Sequence, residues 1–348
     1  MNIYMKFLGL FFLLGFTIQA QSLPQIIQPN NEGLRYIGRF TDDYRCAWTG
    51  NSIEFSFTGT ALNAQFSVAG KKKIAVTAVV DGVERILYLK GEKQTYAVAE
   101  GLPKGQHKVL LFRRSEASFG VLKFEGLQLE EDAVLEATEA PKRKILVIGD
   151  SITCGFANEG KSLKEQNTAE NENGYMSYAA IASRSLNADL MFTSWSGKGM
   201  YRNGNNTTKN TLPQLFDYIL PLKKEGVWDH SRYVPDVIVI NLGTNDMRKT
   251  SGPLGKENYC SIYVSFLERL QKIAPNAKII ISIGPMGFDP VKSWLPEIAA
   301  KFKNTSPFLF SHYKSADEKA GLYHPSVKKD KLMAAELAEE IKRVTGWE

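Results

Sequence analysis

The chain is short of the residues on which several function classes depend. Its 348 residues include only 3 cysteines, Cys46, Cys154 and Cys260. Those are too few and too scattered for a disulfide scaffold, and too far apart in sequence for a zinc site. Three buried free thiols are the simple expectation, and one disulfide is the alternative for an exported protein. There is no basic run longer than the "GKKK" at 70–73, and 43 Lys plus Arg against 37 Asp plus Glu leave a net charge of +6. Nucleic-acid binding calls for a clustered basic face, so these lysines read as a solvated turn. No internal repeat and no low-complexity tract is found.

Long apolar runs are also missing, with one exception at the start. "MNIYMKFLGLFFLLGFTIQA" (1–20) has one early lysine, Lys6, then an apolar stretch from Phe7 to Phe16, then polar residues leading to Ala20. This is the pattern of a secretory signal peptide. The stretch falls well short of the roughly 20 residues a membrane-spanning helix needs. The expectation is an exported protein, secreted or periplasmic, with no stable membrane insertion.

About 328 residues remain, more than one domain usually holds. Residues 21–130 read as an all-β sandwich of jelly-roll type. "NSIEFSFTGTALNAQFSVAG" alternates apolar and polar residues around Gly59-Thr60, the pattern of a half-buried hairpin. "KIAVTAVVDGVERILYL" repeats it around Asp81-Gly82, a hairpin turn signal, and "HKVLLFRRSE" and "GVLKFEGLQL" add strands. Charged and small residues with Pro141 mark 131–143 as a linker.

From Lys144 the pattern changes. "ILVIG" (145–149), "ADLMFTS" (188–194), "VIVINLG" (237–243) and "AKIIISIG" (277–284) are continuously apolar, as strands covered on both faces are. Helical patterns lie at 177–186, 257–274 and 328–346. Residues 144–348 are therefore expected to form an α/β domain, a three-layer parallel sheet of flavodoxin-like type, with its site beyond the carboxyl ends of the strands.

Those strand ends read "GDSITCG", "SWSGKGMYRN", "NLGTNDM" and "GPMGF". Ser151 follows a strand and precedes a turn into a helix, where Oγ is exposed and backbone N–H groups can meet a developing anion. Gly197 offers an unshielded backbone N–H, and Asn245 a side-chain N–H. Of the 4 histidines, His107, His230 and His312 lie in segments with other readings, whereas His324 stands just before the last helix and can reach the first strand's end. Ser151 as nucleophile and His324 as base form a serine-esterase constellation. The carboxylates of 158–174 fit no standard cation loop, so this segment is expected to be a polar insert at the rim, and neither a metal nor a cofactor is needed. Trp195, Tyr201 and Trp294 are candidate sugar platforms, with core packing as the competing reading of each.

The four ordered blocks "GDSITCG", "SWSGKG", "GTND" and "HPS" resemble those of the SGNH (GDSL-type) hydrolases. With the preceding β domain, including "GRF" (38–40) and "SIEFSFTGTAL" (52–62), nearly the whole mature chain resembles carbohydrate esterase family 2. These are two-domain enzymes that remove acetyl groups from plant polysaccharides. The resemblance implies Ser151 as nucleophile, His324 as base, and an oxyanion hole of the Ser151 and Gly197 N–H groups with Asn245. It implies an acetylated polysaccharide or oligosaccharide as partner.

One departure stands out. Most SGNH enzymes carry an aspartate two or three residues before the histidine, where this chain has Leu322 and Gly321. A backbone carbonyl is expected to take its place on Nδ1, with the upstream acids Asp317 and Glu318 as the alternative. That departure also sustains a reading as a carbohydrate-binding protein with a vestigial hydrolase domain. A lipid-directed esterase is the weaker rival, because no long apolar flap is present.

Overall fold

The computed structural model describes residues 24–348 except Lys249 and Ser251. The leader expected at 1–20 lies outside the described residues. Among those described, no helix is long and apolar enough to cross a membrane.

The N-terminal part is a sandwich of two antiparallel sheets. One orders Gln25–Ile27, Val121–Leu129, Leu62–Ala69 and Gln94–Ala99, with Arg45–Cys46 also on Val121–Leu129. The other orders Leu135–Glu136, Ser52–Gly59, Gly105–Arg113, Ile74–Val80 and Val83–Leu89, with Arg35–Ile37 on Ser52–Gly59. Alternating side chains such as Phe55, Phe57, Phe66 and Phe124 fill the space between them.

Two details differ from the sequence expectation. The Asp81-Gly82 turn does close a hairpin, Val80 pairing with Val83. The Gly59-Thr60 turn does not, because Ser52–Gly59 and Leu62–Ala69 belong to different sheets. Alternation records one buried face per strand and is the same for a hairpin as for an arch across a sandwich. The stretch expected as linker is also partly structured, since Leu135–Glu136 pairs with Ser56 and Phe57.

The C-terminal part is a five-stranded parallel sheet in the order Ala188–Ser194, Arg143–Gly149, Val237–Asn241, Lys278–Ile283, Thr305–Leu309. The order reverses beside the first strand, which places a crevice at the carboxyl ends of Arg143–Gly149 and Val237–Asn241. Helices Tyr178–Ser185 and Val327–Thr345 pack on one face, burying Met333, Ala334, Leu337 and Ile341. Helices Lys256–Ile273 and Val291–Ala299 cover the other. The fifth strand escaped the sequence reading because Pro307 interrupts it; a proline is tolerated on an edge strand, where its missing N–H breaks no ladder.

The two parts share a core. Trp48 of the sandwich is wholly buried in the cluster that holds Met191, Phe216 and Leu220, and its Nε1 donates to the Tyr218 carbonyl at 2.9 Å. All 3 cysteines are free, Cys46 and Cys154 buried and Cys260 half-buried.

Candidate active site

Arg143–Gly149 ends in a turn that each of its residues favours. A Cβ on Gly149 would lie 1.9 Å from Thr153 Oγ1, so only glycine lets the strand run this close to the next turn. Asp150 caps that turn, its Oδ1 accepting the Ile152 N–H at 3.0 Å. Ser151 then stands at the first helical position, its N–H without an acceptor among the described residues and its side chain at the crevice.

His324 reaches Ser151 from the loop before the last helix. Its Nε2 lies 2.8 Å from Ser151 Oγ, the separation a base needs to take that proton. The other ring nitrogen, Nδ1, faces the carbonyls of Leu322 at 3.2 Å and Gly321 at 3.3 Å. Leu322 and Tyr323 both adopt left-handed backbone (φ 47° and 63°), a conformation that costs non-glycine residues energy and gathers at functional sites. Asp317 instead pairs with Lys328 at 2.6 Å, and buried Glu318 faces Lys329 at 3.4 Å. Phe156 lies against the imidazole, ring centroids 4.2 Å apart. Burial pushes the His324 pKa down to about 4, against a smaller opposing pull from the two carbonyls. The ring is therefore a neutral acceptor at neutral pH.

Gly197 has left-handed backbone (φ 77°), and a Cβ there would meet nothing within 4 Å. Its N–H, like that of Ser151, has no protein acceptor among the described residues. Asn245 sits beside them, but Nδ2 spends its hydrogens on Asp150 Oδ2 at 3.1 Å and the Lys198 carbonyl at 2.9 Å. Asp150 is raised to about 7, chiefly by burial.

The three aromatic candidates separate. Trp195 is half-buried and lines the cavity beside Gly197. Tyr201 packs part of its ring on the core and does not line that cavity. Trp294 is 8 % exposed, its ring 5.7 Å from Tyr259 in the core. The core reading of Trp294 therefore replaces the platform reading, because its helix turns the apolar face inward.

Sequence reasoning passed over several residues that hold the site. Asp246, adjacent to Asn245, is buried and accepts N–H bonds from Met200, Tyr201 and Arg202 at 2.7–2.9 Å. It thereby fixes the loop after Gly197; burial raises its pKa to about 6 against those three bonds. Glu116 comes from the sandwich. Its Oε2 accepts the Ser196 N–H at 2.7 Å, one residue before Gly197, and its own N–H donates to Glu172 Oε1 at 2.9 Å. The two carboxylates and Cys154 Sγ lie within 4.8 Å of one another, all buried. Burial and the neighbouring Glu116 hold Glu172 well above the usual carboxylate range. A carboxylate 80 positions from its partner leaves no sequence signal. The 158–174 segment is likewise more than a rim. Glu159 pairs with Arg114 and Glu170 with Lys73, both in the sandwich. On its other side the Ala157 and Leu163 carbonyls hold the Gly321 and Leu322 N–H groups at 3.2 and 3.1 Å. It is a strap between the sandwich and the histidine loop.

A serine hydrogen-bonded to a neutral histidine at the switch point of such a sheet, with open amides alongside, is an arrangement suited to ester hydrolysis. Residues 147–309 match the GDSL-like Lipase/Acylhydrolase family and residues 36–138 the Carbohydrate esterase 2 N-terminal family. The chain belongs to carbohydrate esterase family 2. A family two carbohydrate esterase from Clostridium thermocellum, solved in complex with cellohexaose, is similar at a TM-score of 0.85 and 32% identity, covering 90% of this chain and 100% of that one. The cellulase/esterase CelE of Acetivibrio thermocellus is 34% identical over 333 residues, 91% of this chain but 40% of that protein's length. An acetylxylan esterase / glucomannan deacetylase of Cellvibrio japonicus is 28% identical over 315 residues, 85% of this chain and 86% of the relative.

Proposed function

We propose that the protein removes O-acetyl groups from plant polysaccharides such as acetylated xylan or glucomannan, through a Ser151–His324 mechanism, after export from the cytoplasm. The observation that carries this reading is the 2.8 Å contact between His324 Nε2 and Ser151 Oγ beside two unused amides. The relatives named acetylxylan esterase / glucomannan deacetylase support the substrate class, and the leader-like residues 1–20 support export.

In the first half-reaction His324 Nε2 takes the Ser151 proton as Oγ bonds to the acetyl carbonyl carbon. The carbonyl oxygen gains the negative charge and accepts the Ser151 and Gly197 N–H groups. Asn245 joins them by exchanging its 3.1 Å bond to Asp150 for one to the oxyanion. His324 then gives its proton to the departing sugar oxygen as the C–O ester bond breaks. Water, deprotonated by the same nitrogen, releases acetate and restores the serine. The Gly321 and Leu322 carbonyls accept from Nδ1–H, which keeps Nε2 the unprotonated nitrogen and steadies the imidazolium.

The test is acetate release from acetylated xylan, glucomannan and 4-nitrophenyl acetate, with Ser151→Ala as control. Turnover by wild type equal to that of the variant would end the esterase reading. Amino-terminal sequencing of the exported protein tests cleavage after the leader.

A further inference from the structure

The cavity that opens beside Gly197 and Asn245 has a volume of about 560 Å³. Its wall is the segment Trp195–Lys198, the loop Asn203–Asn210, and Arg248. Among the described residues three cations line it, Lys198, Lys209 and Arg248, and no acid does. Some surface cations elsewhere are matched, as in Lys256–Glu297, Lys292–Asp289 and Lys328–Asp317. Lys198, Lys209 and Arg248 make no ion pair among the described residues.

Lys209 and Arg248 are exposed, but the backbone around all three is held in place. The Lys198 ammonium lies 4.4 Å from the centroid of the Trp195 ring, half-buried, with its carbonyl tied to Asn245. Burial lowers the Lys198 pKa while the buried Glu116 carboxylate pulls the other way. Glu116 does not reach the cavity wall, being held by Ser118 and the Ser196 N–H. Arg248 donates one N–H to the Gly204 carbonyl at 2.9 Å, and Gly204 N–H in turn holds the Gly197 carbonyl at 2.9 Å. That leaves the rest of the guanidinium fork without a protein acceptor among the described residues. Asn203 is buried and binds Thr207 Oγ1 and the Lys209 carbonyl, which fixes the loop carrying the third cation.

Gathering three like charges around one concavity costs energy unless an anion shares it. The cavity also touches the open amide of Gly197, where the ester must sit. We infer that this cavity is a subsite for an acidic sugar, a uronate carboxylate carried by the glycan near the acetylated residue. The inference rests on the esterase reading of Ser151 and names its substrate class. A planar carboxylate suits the guanidinium fork of Arg248, with the two ammonium groups as point charges around it. A sulfate on the sugar presents the same charge, and the experiment separates the two.

The readout is the ratio of kcat/KM for acetylated xylo-oligosaccharides bearing uronic acid branches to that for unbranched acetylated ones of equal length. At ~20 mM salt wild type is expected to favour the acidic substrate about 3- to 10-fold, the size of a few partly exposed charge contacts. At ~0.5 M salt the ratio should fall toward one. Lys209→Glu and Arg248→Gln, each folded by its melting temperature, should bring it to one or below. A wild-type ratio of one, or a ratio unmoved by both variants, overturns the subsite. A sulfated acetyl-oligosaccharide favoured over the uronate assigns the cavity to sulfate and overturns the carboxylate. Calorimetry on Ser151→Ala with deacetylated uronate and neutral oligosaccharides reads the subsite without turnover. Absence of hydrolysis with uronate binding would sink the esterase reading alone, and equal binding of the two would sink the subsite alone.

Discussion

His107 in the sandwich and His324 in the α/β layer both present Nδ1 to an oxygen. For His107 it is Asp81 Oδ2 at 2.6 Å, with the Pro103 carbonyl at 2.8 Å on Nε2. For His324 it is two carbonyls at 3.2 and 3.3 Å, with Ser151 Oγ on Nε2. Asp81 raises the His107 pKa, whereas desolvation lowers that of His324. His107 has both nitrogens facing acceptors, which favours its charged form and leaves no nitrogen free to take up a proton. His324 has neutral carbonyls behind it and an acceptor nitrogen in front, so it can take a proton and give it back. Residue type decides neither outcome; the charge on the oxygen behind the ring and the water around it do.

The largest expected effect separates the two rings outright. Ser151→Ala or His324→Ala should lower kcat on 4-nitrophenyl acetate about 10⁴-fold or more. Loss of the same size from His107→Gln would break the comparison.

Glu116→Ala should cost about 10- to 100-fold in kcat, since it frees the segment that carries the Gly197 N–H. Partial recovery in Glu116→Gln, with KM little moved, marks a positioning role; equal loss of stability and turnover in both variants argues against it.

Supplying His324 with an acid should fail. A Cβ at Gly321 would lie 2.6 Å from Ala157 Cβ and 2.8 Å from the Glu165 carbonyl. Gly321→Asp is therefore expected to lose about 1–3 kcal/mol of stability by overpacking, and turnover with it. A gain in kcat would show that the loop accommodates the side chain.

The two rings should also titrate apart. The acid limb of kcat/KM reports the base in the free enzyme, so it is expected near pH 4 rather than near 6.5. Because the folded pKa of His324 is depressed, the unfolded chain takes up that proton first, and stability falls as pH drops from about 6.5 toward 4. His107 has the opposite sign: its bond to Asp81 contributes fully below about 6.5 and is lost as pH rises through its raised folded value. Histidine proton NMR over pH 4–8 checks both. The smallest effect is on stability alone, with His107→Gln losing on the order of 1 kcal/mol in chemical denaturation.

The sequence carried much of this because apolar runs, turn residues and the four blocks are local signals. Val237–Asn241 and Lys278–Ile283 are buried on both faces and read as such, and Ser151 and His324 lay in recognisable segments. Thr305–Leu309 was hidden by Pro307, and the Gly59-Thr60 arch by an alternation that cannot tell one sheet from two. Glu116 and the strap at 158–174 were invisible for a different reason. Their partners are distant in the chain, and nothing in a lone buried carboxylate announces the amide it will hold.

What the sequence by itself determined is therefore the two-part architecture, the strand ends, and the serine and histidine that meet there. Those follow from side-chain periodicity and from residue chemistry at short range. Only the tertiary structure decided that left-handed backbone at Leu322 and Tyr323 brings carbonyls to Nδ1, that Trp294 faces the core, and that the sandwich reaches under the site through Glu116. It also decided that Lys198, Lys209 and Arg248 share one cavity. Each of these depends on which distant segments meet, and so on the packing of the whole chain rather than on any stretch of it.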